Sequence, residues 1–433
     1  MISAPRTSIP VISEYYKLIS WGSPSTHVAV VDTDPGVDDV IAILLAIASP
    51  ELEILAFNVS YGNTDLEAAY LNILMVYQVI ERYLEQNPSH KDRFPNFNLE
   101  RKPILARGSD APLFGDVRLA QYFHGRDGLG DIKDRHPELS VESQQDNPYL
   151  EISSKSGVDV ALGILRSWPS RSVTIITLGP LTNLAQMMRK ECQLVADRIG
   201  RVICMGGALD VPGNTTAVAE FNFFADPYAV KELLMSTPSH KGIPLDRFLL
   251  IPLDITTPHE LPFPLYKEIV DPTFENTKFP SISGDKSSIA HFTSSFLERT
   301  REIMLAFGKD AMELHDIVAV WCAIANPPFA NGKPVALAPG WQGARRVFDI
   351  ERTGELTRGM LVVDRREDES AYPLGTNRSE AQKDPNDPHH IEQYTEPKFS
   401  AESEGVLCIN GTPGPKALLQ ILLGRVWGCS LAL

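Results

Sequence analysis

The chain has 433 residues, of which 43% are hydrophobic and 22% charged, as in an ordinary water-soluble globular protein. Its formal net charge is -15, from 55 acidic and 40 basic residues. This acidic balance argues against a nucleic-acid partner, because phosphate recognition requires clustered Lys and Arg. No stretch approaches the ~20 apolar residues of a membrane span, and residues 1–20 lack the apolar segment of a secretory signal.

The five cysteines are widely spaced and form no Cys-x-x-Cys pair. Neither a disulfide framework nor a thiolate zinc site is therefore expected. Cys204 and Cys322 lie in apolar runs and are predicted to be small core residues. These features predict a reducing, cytoplasmic compartment.

Short apolar runs that end in polar residues alternate with helix-like segments along the chain. The first run, His27 to Val31, leads into the acidic segment Asp32 to Asp39, and Val40 to Ala48 is then apolar almost all round. This pattern predicts a strand, a polar turn and a buried helix. Further strands are predicted at residues 54–59, 173–177, 202–205 and 248–253.

The alternation predicts an α/β fold with a mainly parallel central sheet and helices on both faces. In such sheets ligands bind just outside the carboxyl ends of the strands. Because the polar clusters follow the predicted strands, we expect the active site at that edge of the sheet.

The chain is predicted to comprise an N-terminal extension (residues 1–26) and one α/β domain (27–433). A polar, aperiodic segment at about 365–405 is predicted to be an insertion between a strand at 360–363 and a final strand–helix pair. Two shorter polar stretches, 86–102 and 131–157, are also predicted to be surface insertions.

The strongest chemical signal is the acidic turn that contains Asp34, Asp38 and Asp39. Carboxylates packed this closely repel one another unless a cation or a proton compensates, and oxygen-only ligands suit calcium or magnesium. Helix capping would explain a single aspartate but not the whole Asp-x-Asp-Pro-Gly-x-Asp-Asp segment. A phosphotransferase of the haloacid-dehalogenase kind also begins with Asp-x-Asp, but it requires Thr or Val where Gly36 stands.

The segment DTDPGVDD at residues 32–39 resembles the signature of the inosine–uridine-preferring nucleoside hydrolase family. Other segments resemble that family's motifs in the same order: Tyr61 to Asn63, His124 to Gly130, Leu178 to Asn183, Met205 to Gly207, Asn214, Ala219 to Asn222, and Glu313 to Asp316. The similarity extends from about Val28 to Asp364. It implies a nucleoside-hydrolase-like α/β fold and hydrolysis of ribonucleosides to ribose and free nucleobase.

The resemblance also implies one Ca²⁺, held by the side chains of Asp34, Asp39 and Asp316 and by the backbone carbonyl of Leu178. A water and the ribose 2′- and 3′-hydroxyls would complete a shell of ~6–8 oxygens. In this scheme Asp34 accepts a proton from the attacking water, and His315 donates a proton to the departing base.

Substrate contacts are implied for seven further residues. We expect them from Asp38, Asn63, His124, Met205, Asn214, Glu220 and Asn222, with His124 lining the nucleobase pocket and the others facing the ribose. Phe296 and Arg299 could also touch the base, although packing and solvent exposure explain them more simply. The family implies a homo-oligomer, a dimer or a tetramer, with no nucleic-acid or membrane partner.

Two alternatives remain open at the level of sequence. A protein of this fold could cleave another N-riboside, such as nicotinamide riboside. A non-catalytic nucleoside-binding protein could also retain the fold, although a sensor would be free to lose the water-activating Asp34. The base preference is not fixed by the sequence, because loops build that part of the pocket.

Overall fold

The computed structural model describes residues 26–141, 147–235, 241–328, 336–364 and 405–431. The predicted extension at 1–26 and the predicted insertion at 365–405 lie almost entirely outside these ranges. The division of the chain into an extension, one domain and an insertion therefore stays a prediction.

Strands in the described residues are numbered in chain order. They are β1 His27–Thr33, β2 Leu52–Val59, β3 Ile104–Arg107, β4 Glu151–Ile152, β5 Val173–Thr177, β6 Ile199–Met205, β7 Phe248–Ile251, β8 Glu260–Pro262, β9 Ala311–Glu313, β10 Gln342–Arg346, β11 Asp349–Ile350, β12 Leu361–Val362 and β13 Val406–Gly411. Nine of them form one sheet in the order β10-β13-β7-β6-β5-β1-β2-β3-β4. All of its pairings are parallel except that of β10 with β13, which confirms the predicted mainly parallel sheet.

Helices cover both faces of this sheet. They are α1 Val37–Ile47, α2 Leu66–Gln86, α3 Gln121–His124, α4 Ile132–Arg135, α5 Gly157–Ser167, α6 Thr182–Arg198, α7 Phe221–Ala225, α8 Pro227–Leu234, α9 Leu253–Thr256, α10 Phe263–Ile269, α11 Ser288–Ala306, α12 His315–Ala325 and α13 Pro415–Leu422. None of these described helices is long and apolar enough to cross a bilayer.

Strand β1 shows why both faces are covered. Its side chains alternate, so Ala29 and Val31 enter one core with α1, α2, α11 and α12, while Val28 and Val30 enter a second core with α5, α6 and α8. A strand that is buried on both faces consists almost entirely of apolar residues, and the segment from His27 to Val31 has this composition. All five cysteine thiols are free, and Cys204 and Cys322 are buried as predicted.

Several sequence predictions need correction. The predicted strand at 360–363 shortens to β12, which pairs with β11 in a separate two-stranded sheet. The stretches at 86–102 and 131–157 are not simply surface insertions, because Phe94, Phe97 and Leu139 belong to the core. Polar neighbours mask these isolated apolar side chains, so neither helical nor strand periodicity could reveal them.

Asn96 connects the stretch at residues 86–102 to the sheet through hydrogen bonds. Its amide nitrogen donates to the carbonyls of Ala46, Ser49 and Leu52, and its Oδ1 accepts from Ile54 N–H at 3.1 Å. One buried side chain thereby satisfies the backbone at the end of α1 and at the start of β2.

Replacing Asn96 with Ala should lower the free energy of unfolding by about 1–3 kcal/mol, because Ile54 N–H and three carbonyls lose a buried partner. Urea denaturation would measure this loss. Asn98→Ala is the matched control, since the Asn98 amide bonds only within its own loop, and it should cost less. Equal losses in the two variants would contradict the proposed anchoring by Asn96.

Candidate active site and metal centre

The carboxyl ends of β1, β2, β5, β6 and β7 lie along one edge of the sheet. Strand β1 has β2 on one side and β5 on the other. The strands that follow β1 in the chain are therefore added first on one side of it (β2 to β4) and then on the other (β5 to β7). Such a switch point leaves a crevice at the carboxyl edge, where ligands bind in open α/β sheets. This switch point coincides with the predicted position of the site at the strand carboxyl ends.

Four aspartates converge in this crevice. One carboxylate oxygen from each of Asp38, Asp39 and Asp316 lies within 4.8 Å of the others. Asp34, fully buried beside them, completes the cluster. Burial raises the pKa of Asp34 well above its ordinary value, and the charges of Asp39 and Asp38 add to this shift. The pKa of Asp316 is also raised, first by burial and then by Asp38, Asp39 and Asp34.

Asp39 is held rigidly in place. Its Oδ1 accepts from Thr33 Oγ1 at 2.6 Å, and its Oδ2 accepts from Asn63 Nδ2 at 2.7 Å and from Gly36 N–H at 3.1 Å. These donors come from β1, from the turn before α1 and from the loop after β2. The three elements therefore fix one carboxylate at the centre of the crevice.

Asp34 is enclosed by backbone. Its Oδ2 accepts from Asn63 N–H at 2.8 Å, whereas its buried Oδ1 has no hydrogen-bond partner. A Cβ at Gly62 or at Gly179 would overlap this carboxylate, so both loops approach it only because glycine stands there. A buried, unpartnered carboxylate oxygen among other carboxylates fits a bound hard cation, which would compensate their repulsion.

His315, at the start of α12, faces the cluster. Its Nε2 lies 3.1 Å from Glu313 Oε2, and its Nδ1 lies 2.7 Å from Thr256 Oγ1. Burial lowers the pKa of His315, but the Glu313 hydrogen bond and the charges of Asp38, Glu313 and Glu220 outweigh it, so the net pKa is raised. The protonated imidazolium is thus favoured beside the carboxylates.

Thr256 and Glu313 were not identified as site residues from the sequence. Glu313 precedes His315 by two residues. Residues two apart in an extended segment lie on the same face, so this spacing could have suggested that the two side chains meet. Its other oxygen accepts from Lys309 Nζ at 2.6 Å. Thr256 follows β7, far away in sequence, and carries no pattern that links it to His315.

Three of the residues predicted to face the ribose, Met205, Glu220 and Asn222, lie on the β5 and β6 side of the crevice. Asn222 Nδ2 donates to the Leu178 carbonyl at 2.6 Å and lies 3.6 Å from Met205 Sδ. Glu220 accepts from three backbone N–H groups, those of Gly207, Asn222 and Phe223. Burial raises the pKa of Glu220, and these N–H groups partly offset the shift.

Asn214 accepts from Phe221 N–H through its Oδ1 at 3.0 Å, which fixes the loop that precedes α7. On the opposite wall, Val37 N–H donates to His124 Nδ1 at 3.1 Å. Burial, together with the charge of His315, lowers the pKa of His124 to about 3. His124 is therefore a neutral imidazole whose Nε2 carries the proton, able to donate a hydrogen bond without being an acid.

A cavity of about 460 Å³ opens above the aspartates. Ten of the predicted site residues line it: Asp38, Asn63, His124, Leu178, Met205, Asn214, Glu220, Asn222, His315 and Asp316. Asp34 and Asp39 lie buried next to it. The structure thus brings all the predicted site residues together, while their individual roles stay predictions.

The outer part of the cavity is apolar and aromatic. It includes Tyr122, Phe123, Val211, Met304 and Phe307. Tyr122 donates its hydroxyl proton to Thr215 Oγ1 at 3.0 Å, which joins two loops at the mouth. Met304 and Phe307, at the end of α11, were not predicted to line the pocket. The periodicity of a helix shows which face is buried but not which residues lie at the rim of a pocket.

Phe296 and Arg299 do not line this cavity. Phe296 is fully buried in the core, and Arg299 is exposed and pairs with Glu302. These positions agree with the simpler explanation, in which Phe296 packs in the core and Arg299 is exposed to solvent.

The fold and the carboxylate cluster place the protein among α/β enzymes that use a metal ion at the carboxyl edge of a parallel sheet. Comparison with known protein families identifies the family within this class. The model of the inosine-uridine preferring nucleoside hydrolases matches residues 29–400, and the chain belongs to this family. It is a hydrolase that acts on N-glycosyl bonds, and its family depends on a metal ion.

Individual relatives agree with this assignment. The chain is 30% identical over 335 residues to a pyrimidine-specific ribonucleoside hydrolase of Klebsiella pneumoniae, covering 77% of this chain and 87% of the relative. It is 28% identical over 348 residues to the inosine-uridine preferring nucleoside hydrolase of Leishmania major, covering 80% and 89%. A purine-preferring ribonucleoside hydrolase from Gardnerella vaginalis shares the fold, with a TM-score of 0.62 at 20% identity, covering 93% of this chain and 98% of that one.

Proposed function

We propose that the protein hydrolyses ribonucleosides with one Ca²⁺ bound by Asp34, Asp39, Asp316 and the Leu178 carbonyl. The observation that carries the proposal is the unpartnered, buried Oδ1 of Asp34 within a cluster of four aspartates. A ligand set made only of oxygens favours a hard cation, and the mixture of carboxylate and carbonyl oxygens is typical of calcium. When bound, Ca²⁺ orients the attacking water and lowers its pKa.

Asp34 is the proposed general base. Its Oδ2 accepts from Asn63 N–H, and its Oδ1, which has no hydrogen-bond partner in the protein, would face both the ion and the attacking water, whose proton it accepts. The ribose is held by its 2′- and 3′-hydroxyls, with Asp38 and Asn63 on one side and Asn214, Glu220 and Asn222 on the other. The buried carboxylate of Glu220 favours the positive charge that develops on the sugar during glycosidic cleavage.

His315 is the proposed general acid for the departing base. Its contact with Glu313 and the charges of Asp38 and Glu220 outweigh the effect of burial and raise its pKa, which favours the protonated form before the reaction. Since both ring nitrogens are engaged, with Glu313 and with Thr256, proton delivery requires one of these bonds to exchange for a bond to the base. We therefore propose Glu313 and Thr256 as positioning residues, which set the orientation of the imidazole.

A panel of nucleosides tests the reaction directly. Inosine, uridine, guanosine, cytidine and nicotinamide riboside would be incubated with the Ca²⁺-loaded protein, and reducing sugar and free base would be measured together. We expect equal amounts of the two products from at least one ribonucleoside. Release of base from nicotinamide riboside alone would replace the proposal by the N-riboside alternative.

The metal assignment predicts the effect of Asp39→Asn. This change should weaken Ca²⁺ binding by at least ~10-fold, the lower end of the loss caused even by removing an outer partner of a metal ligand, and turnover should fall with it. Calorimetric titration of exhaustively chelated protein would measure the affinity. Asp116→Asn, which changes a carboxylate that is 91% exposed, is the control and should bind Ca²⁺ normally. Full activity in chelated protein would contradict the proposal.

The homo-oligomeric state and the cytoplasmic location stay predictions. Light scattering of the purified protein would distinguish a dimer from a tetramer, and a monomeric mass would contradict the expectation of an oligomer.

A further inference from the structure

A second group of possible metal ligands lies between the Pro137–Leu139 turn and α11. His136, Glu138 and His291 each offer one ligand atom, and these atoms all lie within 4.8 Å of one another. Glu138 Oε1 is 3.4 Å from His136 Nδ1 and 3.1 Å from His291 Nε2. The two imidazole rings are nearly perpendicular, at 79° with centroids 5.5 Å apart. Two nitrogens and one oxygen therefore converge on one point.

The outer nitrogens of both imidazoles are also held. His136 Nε2 lies 3.4 Å from Glu298 Oε2, and His291 Nδ1 lies 3.0 Å from Ser281 Oγ. Histidines that bind metals are usually fixed in this way, because a partner on one ring nitrogen leaves the lone pair of the other for the metal.

We propose that His136 Nδ1, His291 Nε2 and Glu138 Oε1 form a binding site for a zinc-class divalent cation. Two imidazole nitrogens and one carboxylate form a ligand set that zinc accepts, with water in the fourth position. Such nitrogen-rich ligands favour zinc over calcium or magnesium, which prefer oxygen. The site thus differs in chemistry from the aspartate cluster of the active site.

Exposure supports a binding role. His136 and His291 are only 2% and 4% exposed, whereas the Glu138 side chain is 54% exposed. A cavity of about 440 Å³, lined by Glu138 and His291, connects the site with solvent. The ion therefore has a route to Glu138 and to the buried imidazole of His291, and the cavity leaves room for a water ligand.

Two nearby positive charges are matched by carboxylates. Lys286 Nζ lies 2.7 Å from Asp271 Oδ2, and Arg135 Nε lies 3.8 Å from Glu298 Oε2. A third cation, Arg82, donates to the Glu138 carbonyl at 3.0 Å. Glu138 supplies the further negative charge that a bound dication needs.

The site would connect two walls of the active-site cavity. His136 and Glu138 follow the segment that begins with His124, and His291 lies on α11, whose end contributes Met304 to the cavity rim. Arg135 already joins the same elements, because its Nη2 donates to the Ser295 carbonyl at 2.6 Å. A metal there would be structural, stabilising the arrangement of this wall.

Zinc titration of the full-length, Ca²⁺-saturated protein tests the proposal. Calorimetry should show one Zn²⁺ bound per chain, and Co²⁺ in its place should give the strong visible absorption of a four-coordinate, nitrogen-ligated centre. Glu138→Gln, which changes a side chain that is 54% exposed, should weaken Zn²⁺ binding by at least ~10-fold. His291→Gln should abolish the cobalt spectrum.

Two control variants make the result specific. His90→Gln changes an exposed histidine elsewhere on the surface, and Asp39→Asn changes the carboxylate cluster. Both should retain the wild-type Zn²⁺ affinity and cobalt spectrum. Absence of a bound Zn²⁺, or binding that survives Glu138→Gln and His291→Gln unchanged, would overturn the proposal and leave Glu138 as a hydrogen-bond acceptor for two histidines.

Discussion

A 2′-deoxynucleoside should be hydrolysed at least ~10⁴-fold less efficiently than the corresponding ribonucleoside. Asp38, Asn63 and Asp316 surround the proposed position of the ribose hydroxyls, and Asn63 is itself fixed because its amide donates to Asp39. Removing one hydroxyl would leave buried polar groups and a metal ligand position unmatched. A site built to bind a substrate hydroxyl rejects its absence by about 10⁴–10⁵-fold.

The comparison requires kcat/KM for inosine and 2′-deoxyinosine, and for uridine and 2′-deoxyuridine. A 5′-deoxynucleoside is the control, since it also lacks one hydroxyl but keeps the pair that would face the carboxylates, and it should lose less. Similar efficiencies for the ribo and 2′-deoxy substrates would show that the ribose is not held through its 2′-hydroxyl.

Local patterns were sufficient to predict five neighbouring strands of the central sheet, β1, β2, β5, β6 and β7, and the acidic crevice at their ends. Strand β1 is apolar and ends at Asp32 to Asp39, so both its burial and the position of its carboxylates follow from consecutive residues. The same is true of β5, whose predicted bounds match the structure, whereas the role of the Leu178 carbonyl just beyond it is implied only by the family resemblance. Because parallel strands end at the same edge, these groups are expected along one edge of the sheet, whereas the pairing of β1 with β5 appears only in the structure.

Contacts between distant segments could not be predicted in this way. Thr256 reaches His315 from α9, 59 residues away in sequence. Glu138 reaches His291 across 153 residues. No periodic pattern in the sequence links the two residues of either pair. Each contact depends on how a loop or a short helix packs against a helix that is distant in the sequence. The role of glycine at 62 and 179 likewise becomes clear only when the Asp34 carboxylate is seen between the two loops.

His315→Ala should reduce kcat/KM for a natural nucleoside by roughly 10²–10⁴-fold, the usual contribution of a general acid. A nucleobase is a poor leaving group as an anion and needs a proton, whereas p-nitrophenolate departs without one. The same variant should therefore hydrolyse p-nitrophenyl riboside at nearly the wild-type rate. Steady-state kinetics on inosine and on the aryl riboside would measure both effects.

Two further measurements separate proton donation from support of the metal site. Ca²⁺ affinity should be unchanged in His315→Ala, because no oxygen ligand is removed, although Asp316 is adjacent. Glu313→Gln should slow inosine hydrolysis while the aryl riboside is cleaved normally, since this variant keeps the imidazole and removes the carboxylate that raises its pKa. Equal losses on both substrates in His315→Ala, together with weaker Ca²⁺ binding, would mean that His315 supports Asp316. The proton donor would then have to be another group, and neutral His124, whose pKa is about 3, is poorly suited to that role.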